Sequence, residues 1–313
     1  MTVTAERPAE LTPRRPDRGP GSRADGWIRR APLLPALIFT IIVTQLPFLF
    51  TIYYSLQSWN LVRPGSRQFV GLDNYVLVFT DSQFRQVALN TVVLTVGAVF
   101  FSLLLGLLFA LLLDRAFFGR GFIRTLLITP FLITPVAAAL LWKTVLFDPT
   151  YGLINFVLSP FGVGQVDWIS TFPLTSVMVA LVWQWTPFMM LLILAGLQSQ
   201  PHDVLEAARV DGASTWGVFR EVTIPHLRRF LELGIVLGAI YLINTFDAIY
   251  MMTQGGPGTA SANLPFYIYQ RAFLGFDIGQ SAAMGVVVVI ATIIVATFAL
   301  RLIFRSFSGG EET

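Results

Sequence analysis

The sequence predicts an all-α integral membrane protein with six transmembrane helices. Hydrophobic residues fill 55% of its 313 positions and charged residues only 12%, about half the roughly 25% expected of a soluble domain. Its mean hydropathy is +0.68. Six stretches, about 32–56, 87–113, 122–146, 174–197, 230–253 and 280–304, are apolar over the ~20 residues a helix needs to cross the hydrocarbon core. The chain has no cysteine, which excludes disulfides, thiol catalysis and Cys-ligated metals.

Residues 1–26 are rich in Pro, Gly and Arg and lack an apolar pattern, so they are expected to be a disordered basic tail whose simplest role is a topology anchor. The stretch at 32–56 is too long for a signal peptide, has no small-residue cleavage site, and is followed by Trp59 at the expected interface. The folded membrane region is expected over 27–306, with 307–313 as a short C-terminal tail. The segment 57–86 contains Phe69 to Tyr75, expected as a short amphipathic helix along the membrane surface. Residues 147–173 hold Pro149, Gly152, Pro160 and Gly162 and read as turns and short interfacial helices. Gly255-Gly256-Pro257-Gly258, after the fifth stretch, reads as a turn.

Orientation follows from Lys and Arg. Sixteen of these residues fall on the side of both termini, among them Arg115, Arg120 and Arg124 after the second stretch and Arg209, Arg220, Arg228 and Arg229 after the fourth; five (Arg63, Arg67, Arg85, Lys143 and Arg271) fall on the other. Both termini and the 198–228 loop are therefore expected in the cytoplasm.

That loop is ordered by its residues. Pro201 suits a first helical position, with Ser199 as a candidate cap. Val204, Leu205, Ala208 and Gly212 recur at helical spacing. Asp211-Gly212 is a helix stop, Ser214 caps a second short helix that continues through Trp216 and Phe219, and Pro225 precedes the next span. Ala207, Ala208 and Ala213 form a small-residue patch that another backbone could approach. Spacing alone leaves open a connector packed on its own bundle.

Glu206-Ala207-Ala208, Gly212 six positions after the glutamate, and Ile224-Pro225 resemble the EAA loop of bacterial ABC-importer permeases. The resemblance implies the type I ABC-importer transmembrane fold, a site in the bacterial inner membrane, and a coupling helix in which Glu206, Ala207, Ala208, Asp211 and Gly212 contact an ATP-binding subunit. It implies as partners a second homologous permease chain, two ATP-binding subunits, an external solute-binding protein and a carbohydrate. ATP and Mg would sit on the ATPase; this chain has no G-x-x-x-x-G-K-[ST] phosphate loop, and no cofactor or metal is expected on it. Phe69–Tyr75, Thr129-Pro130-Phe131, Trp185–Met190 and Phe246–Gly258 are similar to the carbohydrate branch of the family, the permeases for sugars and glycerol phosphate. Gly258–Ser261, Asp167–Ser170 and Phe276–Gly279 look most like its polyol subgroup, from which Asp247 departs.

Polar groups inside a bilayer usually face a cavity or a partner. Gln184, Trp185 and Phe188 lie on the fourth span, Asn244, Thr245 and Asp247 on the fifth. Pro187 is expected to open its helix, and Pro130 and Pro135 to break the third span beside Phe131. Amides and aromatic faces suit sugar hydroxyls and C–H surfaces. By resemblance to maltose-type permeases, Phe131, Gln184, Trp185, Phe188, Asn244 and Thr245 would bind substrate, with Asp247 either a vestibule residue or an ion partner for a second subunit. These groups could equally bond across helices and hold the bundle together. The alternative to an ATP-driven importer is a self-contained secondary carrier or channel, but neither inverted repeats nor paired mid-membrane charges are found.

The absence of cysteine makes the topology directly testable. Val210→Cys should react with an impermeant maleimide only in inside-out vesicles, and Thr150→Cys only in intact cells stripped of outer layers; the reverse pattern overturns the orientation.

Overall fold

The computed structural model describes residues 31–63, 65 and 67–308, and the expected N-terminal tail lies outside them. The chain divides into two compact units, Met1–Phe50 and Thr51–Thr313. In the first, a 3₁₀ turn (Ala31–Leu33) leads into helix α1 (Leu34–Ser55), whose residues from Thr51 onward belong to the second. Thr40 and Thr44 turn their hydroxyls back onto the carbonyls of Ala36 and Thr40, so these two donors are satisfied within the apolar helix.

In the second unit, strands β1 (Gln57–Ser58) and β2 (Gln68–Phe69) pair antiparallel, Gln57 opposite Phe69 and Ser58 opposite Gln68. This ribbon corrects the expectation of a helix from Phe69: the helix, α2 (Asp73–Thr80), begins four residues later. Asn74, 4% exposed, donates its amide to the carbonyls of Ser55 and Gln57, both at 2.8 Å. Arg67 bonds Gln57 Oε1 at 2.9 Å and lies over the Trp59 ring. Gly279 sits where a Cβ would come within 2.1 Å of the Gln57 carbonyl, so only glycine lets the last helix start against this ribbon.

Helix α3 (Ser82–Asp114) has 33 residues, about 50 Å of rise. It is followed by α4 (Arg120–Leu132), α5 (Pro135–Leu141, continued by a π-helical turn through Leu146), α6 (Leu153–Leu158), α7 (Trp168–Thr171) and α8 (Pro173–Gln198). Helix α9 (His202–Val210) and α10 (Thr215–Val218) form the loop. Then come α11 (Ile224–Ile243), α12 (Asp247–Met252), α13 (Leu264–Tyr269) and α14 (Ile278–Ser308). The last helix thus runs two residues into the expected C-terminal tail.

Four helices, α1, α3, α8 and α14, are long and apolar enough to span, and α4 with the α5 segment makes a fifth span bent by 103°. The stretch expected at 230–253 is not one helix: α11 carries Arg228, Arg229 and Glu232 near its start and ends at Asn244, before α12 resumes at Asp247. The six-helix count is therefore met by length and composition in five of six places among the described residues.

The core is the pairing of α3 with α8, with α11 packed against both. Glycines permit it. A Cβ on Gly106 would lie 2.9 Å from the Met190 backbone nitrogen, while one on Gly97 would meet only the thioether end of Met178. At the start of α3, Asp81 caps the helix by accepting from the Gln83 N–H at 2.9 Å and binds Tyr267 and Arg271 at 2.8 and 3.0 Å. Partial burial works against its charged form, but the Tyr267 hydroxyl, the Gln83 and Phe84 N–H groups and the Arg271 charge outweigh it, and its pKa lies below the usual carboxylate value. Arg115 and Arg120 lie at the other end of α3, so the two sets of charges flank its apolar length.

Two outcomes follow. Gly106→Ala should lower the melting temperature of the purified protein clearly more than Gly97→Ala, since backbone cannot yield as a thioether can. Asp81→Asn should be less stable than wild type above pH ~4, and the difference should shrink as pH falls through the depressed pKa of Asp81, because protonation removes from wild type what the variant already lacks; a gap constant with pH overturns the assignment.

Candidate functional site

Two irregular breaks converge on α8. The first lies between α4 and α5. Pro135 has no N–H, and the residue before a proline is pushed out of the helical region; Ile133 and Thr134 are extended, with ψ of 136° and 143°. Helix α4 runs on through Pro130, so the break comes at Pro135 alone. The second break, Asn244–Phe246, separates α11 from α12, and α12 packs on α5. Between them α8 is continuous through Pro187, contrary to the expected opening: the surrounding core holds the helix, and Thr186 donates its hydroxyl to the Val182 carbonyl at 2.6 Å.

The structure brings Phe131, Trp185 and Phe188 together. Phe131 stacks on Phe188 at 5.6 Å between ring centroids and meets Trp185 edge-on at 5.8 Å. Tyr241 completes the cluster 5.4 Å from Trp185 and is 60% exposed. Tyr241 was not singled out from sequence for this site, although it stands one helical turn before Asn244 and Thr245. Gln184 is 7% exposed and donates its amide to the Ile133 carbonyl at 3.1 Å, the acceptor freed by the break. Asn244 is exposed, with its amide turned to the Ile240 carbonyl at 2.8 Å. The Thr245 carbonyl accepts from Asn263. Asp247 is half-buried at the first position of α12, where a carboxylate complements the helix dipole.

A separate cavity of about 510 Å³ opens on the opposite face of α8, among Leu105, Leu126, Pro130, Trp183, Thr186 and Pro187. Its two hydroxyls, Thr129 and Thr186, are already spent on backbone carbonyls. It offers little to a polyhydroxyl solute.

The loop forms a second candidate site. Helix α9 ends in a complete Schellman motif: Gly212 has φ of 87°, its N–H bonds the Arg209 carbonyl at 3.1 Å, and Ala213 N–H bonds the Ala208 carbonyl at 3.0 Å. Ser214 caps α10 by accepting from Gly217 N–H at 3.1 Å. Pro201 is the cap residue rather than the first helical one, and Ser199 bonds Gly196 and His226 instead of capping α9. Leu205 and Ala208 are half-buried, whereas Glu206, Ala207, Asp211 and Gly212 are exposed. Among the described residues no group of three His, Asp or Glu is placed to hold a metal.

A broken-helix bundle with an ordered polar loop is a transporter architecture. Residues 98–309 match the family of binding-protein-dependent transport system inner membrane components. The chain belongs to this family. It is a multi-pass inner-membrane permease of a binding-protein-dependent system, and hydrolysis of ATP falls to a separate subunit. It is 40% identical over 280 residues to a probable ABC transporter permease of Sinorhizobium fredii, covering 89% of each chain. It is 35% identical over 257 residues to the trehalose/maltose transport system permease protein MalF of Thermococcus litoralis, covering 81% of this chain and 86% of that one. A crystal structure of a bacterial ABC transporter that imports the acidic polysaccharide alginate superposes with a TM-score of 0.76 at 22% identity, covering 90% of this chain and 96% of that chain; the permease shares that fold.

Gln184→Leu should leave the half-buried Ile133 carbonyl without its donor, at a cost of about 1–3 kcal/mol. A drop of several degrees in melting temperature is the expected result, and Gln184→Glu, whose carboxylate only accepts, should not restore stability.

Proposed function

We propose that the permease forms half of the translocation pathway for a sugar or polyol handed over by an external binding protein, and that it is driven by ATP hydrolysis through the α9 loop. A second homologous permease chain would supply the other half and two ATP-binding subunits would carry ATP and Mg, with both termini and the loop in the cytoplasm. The observation that carries this reading is the cluster of Phe131, Trp185, Phe188 and Tyr241 beside the Asn244–Phe246 break. Partly exposed aromatic faces suit the C–H surface of a sugar, and Asn244, Thr245 and Asp247 supply hydroxyl partners one turn away. Similarity to trehalose/maltose permeases supports the substrate class.

Within this reading the residues divide. Phe131, Trp185, Phe188, Asn244, Thr245 and Asp247 contact substrate. Gln184 acts through its bond to Ile133 and positions Phe131 two residues before it. Glu206, Ala207, Ala208, Asp211 and Gly212 present the loop to the ATPase: the exposed Glu206 offers a charge, the alanines permit close backbone approach, and Gly212 sets the exit angle.

The test is uptake by the reconstituted importer. Trp185→Ala and Tyr241→Ala should cut uptake roughly tenfold or more with assembly intact. Glu206→Ala and Gly212→Val should uncouple, lowering substrate-stimulated ATP hydrolysis while leaving binding-protein docking unchanged. Normal uptake by both aromatic variants sinks the pocket, and normal stimulation by both loop variants sinks the coupling role.

A further inference from the structure

A cavity of about 790 Å³ lies between α9 and the membrane bundle. His202, Leu205 and Arg209 line it from one face of α9, at helical spacing. The exposed Ala207 points away from that face, so the cavity sits behind the surface offered to the ATPase.

Its walls divide by chemistry. Leu111, Leu197, Val218 and Phe219 make an apolar side. Arg115 at the end of α3, Arg120 at the start of α4 and Arg209 on α9 bring three guanidiniums to the same space, against one carboxylate, Asp114. Among the described residues the ion pairs are Arg228–Glu232 and Arg271–Asp81; none of the three cavity arginines is in one. Three cations against a single carboxylate leave the cavity net positive, which an anion would neutralise.

Gln200 lines the cavity and is 7% exposed, with its Nε2 buried out of reach of an occupant. A further observation points to a ligand. Helices α4 and α9 both begin at the cavity, with Arg120 and His202 as their first residues, and neither helix has a side-chain cap. Their uncapped N–H groups and dipoles favour negative charge.

We propose that this cavity binds a phosphate ester, its anion held by Arg115, Arg120 and Arg209. The apolar wall and the exposed Trp216 at the mouth (68% exposed) suit a phospholipid headgroup with its chain along the bundle; a free phosphate shares the anionic half of that chemistry. The occupant ties α9 to the α3–α4 turn and stiffens the seat of the loop. Binding stands apart from the transport reading, because it is measured without ATP or substrate.

The test is native mass spectrometry of the purified importer, titrated separately with phosphatidylglycerol, phosphatidylcholine and inorganic phosphate. Saturable phosphatidylglycerol binding should exceed phosphatidylcholine binding. It should weaken roughly a hundredfold in the triple variant Arg115→Gln/Arg120→Gln/Arg209→Gln and be largely kept with lysine at the same three positions. Competition by millimolar inorganic phosphate would assign the site to soluble phosphates as well. Should the triple variant fail to assemble, Arg120→Gln and Arg209→Gln, each singly, must weaken binding several-fold. Equal binding of the two lipids with no phosphate binding, or binding unchanged in these variants, overturns the proposal.

Discussion

The hydrogen bond from Gln184 to the Ile133 carbonyl is the constraint on which the central region rests. A helix interrupted inside a membrane leaves backbone groups that water cannot reach, each costing several kcal/mol. Pro135 imposes the interruption, and Gln184, from a neighbouring helix, answers it. With that carbonyl satisfied the chain can turn by 103° after α4, and Phe131, in the last turn of α4, meets Trp185 and Phe188. The ring cluster is therefore a consequence of a backbone problem solved by an amide.

The same solution recurs through the fold. Asn90 closes the turn at 259–262 by donating to the carbonyls of Thr259, Ala260 and Ala262. Asn263 binds the carbonyl of Thr245 at the second break. Asn74 ties α2 to the end of α1 and to β1, and Asn155 gathers the carbonyls of Asp148, Pro149 and Val166. A neutral amide can satisfy several carbonyls without the desolvation penalty of a buried charge. This is how a chain with only 12% charged residues carries so many irregular segments: its polar bonding is concentrated in a few Asn and Gln side chains.

What the sequence made legible was what is decided locally. Span positions follow from hydropathy, and the loop from a stop glycine and a serine cap that act within five residues of themselves. Pro135 announced a break in the third span, but the partner of its carbonyl stands 51 residues away and could not be read. Pro187 looked equally disruptive, yet α8 runs continuously through it, held by packing in the core. The β1–β2 ribbon is two residues per strand, too short for alternation to register, and its stability comes from Asn74 and Arg67 rather than from its own pattern. The fifth span read as continuous because the hydropathy of Ile249, Met251 and Met252 masks the irregular backbone just before them. Tyr241 could not be placed in the ring cluster from sequence, since its contact with Trp185 depends on how α11 lies against α8.

The Schellman turn at Gly212 separates two kinds of constraint on one short loop. No atom lies within 4 Å of where a Cβ would project from Gly212, and its φ is 87°. Any L-side chain there would be opposed by chain chirality rather than by a neighbour, so the requirement belongs to the backbone and holds whatever surface faces it. Glu206 and Ala207 are exposed and free of such a torsional demand, so under the proposed coupling role they are the positions at which the loop could be retuned to a different ATPase while its shape stays the same.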